Sequence, residues 1–283
     1  MRPSLKAGIV ALASVALLTA AVPAASAASS RNVAAVGLTD GGTSLVAFST
    51  ASTRFRGAAR AVTGLTGDTR LVGIDRRVQD RKLYGVGDRG GVYTLGDRGA
   101  ATKVLQLTVA LSGTAFGVDF NPAANALRIV SDTGQNLRQP FATAGAATVV
   151  DGALTNPAVA PATGTVPATG VTGAAYTNND LDAASSTTLF DLDTALDRVA
   201  LQSPANAGTL ASTGGLGVDA ALDAGFDVYS ELDRARAEEN TAFATLSVGG
   251  RYGLYEIDLL AGQVDRIGSF DRPVTDLAVA LDR

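Results

Sequence analysis

The chain reads as an all-β propeller, most simply five four-stranded blades closed into a ring by pairing of its first and last strands. Three observations predict this. A short alternating phrase with an aromatic or aliphatic centre returns five times, at Leu45-Val46-Ala47-Phe48-Ser49, Val92-Tyr93-Thr94-Leu95, Leu137-Arg138-Gln139-Pro140-Phe141, Leu189-Phe190-Asp191-Leu192-Asp193 and Leu254-Tyr255-Glu256-Ile257-Asp258. Helix signals are scarce, because Gly, Thr, Ala and Val dominate and turn residues arrive every few positions. The strand count at the ends is complementary: residues 33–63 hold three strands and residues 274–280 hold one, which together make one blade and leave no ring edge exposed. A six-bladed ring, with more strands hidden in residues 151–173, and an irregular sandwich are the alternatives.

The clearest blade begins at Leu71. Residues 71–75 form a strand and 76–81 a turn; residues 82–87 form a second strand, and Asp88-Arg89-Gly90-Gly91 turns the chain into a third at 92–95. Gly96-Asp97-Arg98-Gly99 turns again into a fourth strand at 101–107. The next blade runs through residues 116–119, 126–131, 137–141 and 146–150. The third is looser: its first strand is expected near residues 153–159, its second at 174–177, its third at 188–192 and its fourth at 198–202. The fourth blade takes residues 225–228, 241–248, 253–257 and 264–268, with a short helix expected over 230–240 because Ser230 and Asp233 resemble a capping box.

The first 27 residues have the form of a secretory signal peptide: basic Arg2 and Lys6, an apolar run over 9–22, and a small-residue cleavage pattern at Ala25-Ser26-Ala27. Residues 28–283 then form a single secreted, extracellular domain with no further membrane span. Losing Arg2 and Lys6 leaves 21 basic residues against 27 acidic ones, a net charge of −6, with no Lys/Arg block to neutralise phosphates, so nucleic acid is not an expected partner. Cys and His are both absent, which excludes disulfides, Ser-His-Asp chemistry and the usual zinc sites. Any catalysis would run on carboxylates, hydroxyls, Tyr, Lys or Arg.

The phrases Phe116-Gly117-Val118-Asp119-Phe120-Asn121-Pro122, residues 128–138, Ala175-Tyr176-Thr177-Asn178-Asn179 and Gly214-Gly215-Leu216-Gly217-Val218-Asp219 resemble a bacterial exported family known as domain of unknown function 4394. The resemblance spans residues 32–279. It implies a propeller-like fold and brings no activity, substrate or catalytic residue.

Overlaying the blades exposes a recurrent Gly-apolar-Asp on the first strand: Gly73-Ile74-Asp75, Gly117-Val118-Asp119 and Gly225-Phe226-Asp227. The first strand of a blade lines the central channel, so Asp75, Asp119 and Asp227 are candidate ligands of one cation, with Ca²⁺ the hard ion that oxygen donors suit. Ala278 takes this place in the fifth blade. The alternative is that each Asp serves the turn after it, as Asp119 to Pro122 suggests. A possible ligand loop is Asp132, Gln135 and Asn136, together with Asn178 and Asn179; the same residues are also good turn chemistry.

Three functional classes remain. The first is a non-catalytic, monomeric binding module for a small molecule, glycan or protein. The second is a carboxylate-based hydrolase or lyase for carbohydrate or lactone, possible with Ca²⁺ assistance but weakened by the lack of Trp and the scarcity of Glu. The third is a structural envelope component.

Overall fold

A computed structural model describes residues 31–282; the expected leader at 1–27 lies outside them. Five antiparallel four-stranded sheets stand in a ring. Blade one is Leu71–Arg76, Leu83–Gly87, Gly91–Leu95 and Ala101–Gln106, and blade two is Phe116–Asn121, Ala126–Ser131, Asn136–Pro140 and Val149–Val150. Blade three is Val171–Tyr176, Leu189–Asp193, Arg198–Gln202 and Leu210–Gly215, and blade four is Ala220–Asp233, Arg236–Val248, Arg251–Ile257 and Val264–Ser269. Blade five joins the two ends of the chain. Val274–Val279 pairs with Ala34–Thr39, which pairs with Ser44–Ser49 and then Arg60–Ala61. The ring therefore has five blades and the three-plus-one closure.

Two local expectations fail, each for a physical reason. The innermost strand of blade three is Val171–Tyr176, every residue of which is buried. Residues 153–159 instead contribute to a small separate hairpin, Thr155–Pro157 with Thr165–Pro167. Proline at both strand ends lacks the N–H that a blade ladder needs. The strands expected second, third and fourth in blade three thus each sit one place further in, and Leu210–Gly215 completes the sheet as its outermost strand. No helix forms over 230–240. The ladder continues through Ser230↔Asn240 and Glu231↔Glu239 to a two-residue loop, Arg234-Ala235, whose φ values of 50° and 67° have the sign of a primed hairpin turn.

The core is divided among the seams. A separate apolar cluster fills the space between each pair of neighbouring blades: Phe120, Tyr84 and Val118 between one and two, Tyr176, Val130 and Leu189 between two and three, Phe226, Val228 and Phe190 between three and four. Phe48, Phe243 and Val279 fill the seam of four and five, and Leu38, Leu71 and Ile74 that of five and one. Near the axis the innermost strands approach closely enough to require glycine. A Cβ on Gly117 would lie 2.5 Å from the backbone N of Ala174 and 2.6 Å from the carbonyl carbon of Gly173. Gly117→Ala should accordingly cost about 1–3 kcal/mol of unfolding free energy in urea titrations. Gly215→Ala, whose nearest neighbour is 3.7 Å away, should cost far less. Equal losses would mean that the central approach is not what selects glycine.

Candidate functional site

The three Gly-x-Asp copies occupy equivalent places on the innermost strands of blades one, two and four. Asp75, Asp119 and Asp227 are 5%, 2% and 3% exposed, and each presents one carboxylate oxygen within 4.8 Å of the others. Each side chain also reaches sideways into the next blade. Asp75 Oδ2 accepts the backbone N–H of Phe120 at 2.7 Å, Asp119 Oδ1 that of Tyr176 at 3.1 Å, and Asp227 Oδ2 that of Val279 at 2.6 Å. The acceptors thus serve neighbouring innermost strands. The turn after Asp119 is held by Asn121, whose Oδ1 accepts the N–H of Ala124 at 2.7 Å.

Register follows from these bonds. The N–H donors are Phe120, Tyr176 and Val279, and Phe120 directly follows Asp119, so Ala175 and Ala278 hold the Asp position in blades three and five. Blade five compensates two residues earlier, where the other blades carry Gly73, Gly117, Gly173 and Gly225. Asp276 stands at that place, and its Oδ2 accepts the N–H of Ile74 at 2.7 Å. Carboxylates thereby tie four of the five seams.

Burial is the main cause of the unusual acidities here. It pushes Asp75 well above the ordinary carboxylate value, and the charge of Asp227 adds to this. Asp119 is raised well above it by burial and then by Asp75 and Asp227. Burial raises Asp227 to about 7, against backbone N–H bonds from Val279 and Val228 that oppose it, and Asp276 also rises well above normal through burial. Converging carboxylates of this kind need a shared proton or a cation. Three oxygen donors within 4.8 Å fit the latter, since two oxygens on one ion at about 2.4 Å are at most about 4.8 Å apart.

The possible ligand loop divides into two places, both internally satisfied. Asp132, Gln135 and Asn136 lie at the turn between the second and third strands of blade two, whereas Asn178 and Asn179 follow the first strand of blade three, at the opposite end of the ring. Asp132 accepts from the N–H and Oγ1 of Thr114 at 2.8 and 2.6 Å, and Gln135 Oε1 accepts the N–H of Ser112 at 3.0 Å. Buried Asn136 accepts from Arg128 Nη1 at 2.7 Å and donates to the carbonyl of Gly152 at 2.9 Å. Asn178 and Asn179 bind blade four: the Asn178 N–H donates to Asn240 Oδ1 at 2.9 Å, Asn240 Nδ2 donates back to Asn178 Oδ1 at 2.8 Å, and the Asn179 N–H donates to Ser230 Oγ at 2.8 Å. They tie the one seam that no axial carboxylate reaches.

Residues 44–278 match the family described as a domain of unknown function (DUF4394). The chain belongs to this family. No curated protein matches it. Among solved structures it is similar to a chain in a nidogen/laminin complex, at 12% identity and a TM-score of 0.48, covering 89% of this chain and 99% of that one. It is also similar to a structural genomics protein of unknown function from Bacteroides thetaiotaomicron VPI-5482, at 13% identity and a TM-score of 0.47, covering 85% of this chain and 64% of that one. AztD from Citrobacter koseri is similar at 11% identity and a TM-score of 0.35, covering 86% of this chain and 84% of that one. Likeness at this level says nothing about function.

Three residues escape the sequence reading. Asp276 is hidden because it replaces the glycine of the repeat. Arg128 is buried, donates to Tyr176 Oη, Asn136, Asp151 and Asn206, and looks in sequence like any other strand arginine. Arg76 had a visible signal: Gly-x-Asp is followed by Phe120 or Val228 elsewhere and by arginine only here.

The raised acidity of Asp227 has a definite consequence for stability. A folded-state value near 7 against an ordinary 3.8 means that its protonated form favours folding below 3.8, and that this contribution is lost as pH rises through about 7. In EDTA, the melting temperature of Asp227→Asn should therefore fall less steeply than that of the parent across this window. Parallel curves would show that Asp227 does not titrate with folding.

Proposed function

We propose that the protein is an exported, non-catalytic binding propeller whose axial carboxylates Asp75, Asp119 and Asp227 hold a Ca²⁺ ion. The observation that carries the cation is the convergence of three all-oxygen donors, each from a different blade and each buried. Such an ion would neutralise charge that burial otherwise makes costly and would cross-link three of the five innermost strands. The same geometry favours binding over hydrolysis. Acid–base work on a glycoside needs carboxylates that a substrate can reach, with space for water or a sugar ring between them. Here one oxygen of each group is spent on a neighbouring blade, and exposure does not exceed 5%. The leader read in the sequence supports export.

Thermal melting after EDTA treatment, then with Ca²⁺ or Mg²⁺ added back, tests this. An ion that binds only the folded state at about a hundred times its Kd adds roughly 2.7 kcal/mol, so Ca²⁺ should raise the melting temperature visibly. Asp119→Asn should abolish most of that rise. If neither ion shifts the parent chain, the axial cation is wrong and shared protons stabilise the ring instead.

A further inference from the structure

The seam between blades five and one differs from the other four. The residue after the axial position points away from the channel, because side chains alternate along a strand. In four blades this residue is an apolar or aromatic plug in the core of the seam with the preceding blade: Phe120, Tyr176, Val228 and Val279. In blade one it is Arg76, and there the seam opens into a cleft of about 860 Å³. That volume lies within the range of small-molecule sites.

Five cations line this cleft, Arg56, Arg60, Arg76, Arg81 and Lys82, against one carboxylate, Asp97. Arg60 is engaged with the Asp97 carbonyl, and Arg81 donates to the carbonyls of Leu281 and Asp282 at 3.2 and 2.6 Å. The side chains of Arg56, Arg76 and Lys82 make no hydrogen bond or ion pair to any described residue. Arg76 Nε is moreover buried, so a guanidinium donor is withheld from water without a partner in return. The rest of the wall is apolar, including Val46, Leu83 and Leu95, with the hydroxyl residues Thr94 and Thr102 beside them. The cleft opens at the end of the ring that carries the 77–82 and 96–100 turns of blade one.

We propose that this cleft binds an organic anion, a carboxylate or phosphate head on an apolar body, with half-buried Arg76 as the anchor for the head and Arg56 and Lys82 as its charged rim. The site names a ligand class for the binding reading above and rests on it, but it uses none of the axial carboxylates. A guanidinium fits either head group in two-point fashion, and an apolar wall rewards the attached chain.

Isothermal titration of the full chain with octanoate, octyl phosphate and octanol tests the assignment. At least one of the two anions should bind and octanol should not; the stronger of the two identifies the head group. Arg76→Val installs the residue that blades four and five carry at this place, so the variant should melt no lower than the parent while losing at least about tenfold in affinity, as removal of a charge-assisted bond implies. Lys82→Glu, at the exposed rim, should fold normally and weaken binding several-fold. Three results would overturn the proposal: no binding of either anion, equal binding of octanol, or unchanged anion affinity in a folded Arg76→Val. A melting loss in Arg76→Val with no anion binding to the parent would make Arg76 a counter-ion of the axial carboxylates. The melting response to Ca²⁺ is read separately, so failure here leaves the axial cation standing.

Discussion

At the centre of the ring, innermost strands from different blades converge without a shared ladder, and backbone N–H groups on their inner edges need acceptors from somewhere. An acceptor that spans from one strand to the next must be short, and it must leave the strands room to meet. Aspartate beside glycine satisfies both demands: the glycine lets the neighbouring backbone come close, and the carboxylate caps its N–H. An unpaired backbone donor buried there would cost about 1–3 kcal/mol. The recurrence of Gly-x-Asp along the chain is thus the imprint of blade-to-blade fastening repeated around an axis. Blade five reaches the same end with Asp276 at the glycine position, and the seam of blades three and four reaches it with the paired amides of Asn178 and Asn240.

That solution creates a second problem. Four buried aspartates around a narrow axis repel one another, and burial raises all of them above the ordinary carboxylate range. Arg76 is the cation nearest in sequence, yet burial weakens its own charged form. The fastening is therefore stable only with its charge compensated, by protons or by a metal. Fold and ligand chemistry meet in the same side chains, and the same three aspartates carry both the structural and the functional reading.

How much of this was legible in the sequence depends on whether a residue repeats. The blade number and closure were legible, since strand phrases recur and the ends leave three strands and one. Asp75, Asp119 and Asp227 were legible as a set because a shared neighbour, glycine, marks their register. The innermost strand of blade three was misplaced because Ala175 replaces the aspartate that would have marked it, and the prolines at 157 and 167 sit in strand-like surroundings. The hairpin at Arg234-Ala235 was read as a helix because neither residue announces a positive φ as Asn-Gly would. Asp276 and Arg76 were passed over for a related reason: each departs from the repeat, and a search for likeness discards departures.

Those departures are where a repeat protein becomes specific. Symmetry alone would give five equivalent seams, each closed by an apolar plug and offering no place for a ligand. The ring departs from this between blades five and one, where residues 62–70 carry the chain from the last strand of one sheet to the first strand of the next. An arginine at the plug position there exchanges core packing for an open, basic cleft. Replacing apolar contact by an unpaired, half-buried guanidinium is unfavourable to the folded chain taken by itself. A residue that weakens packing at one seam, while the other four keep an apolar plug, is best explained by something the cleft holds, and an anion is the partner that would recover the loss.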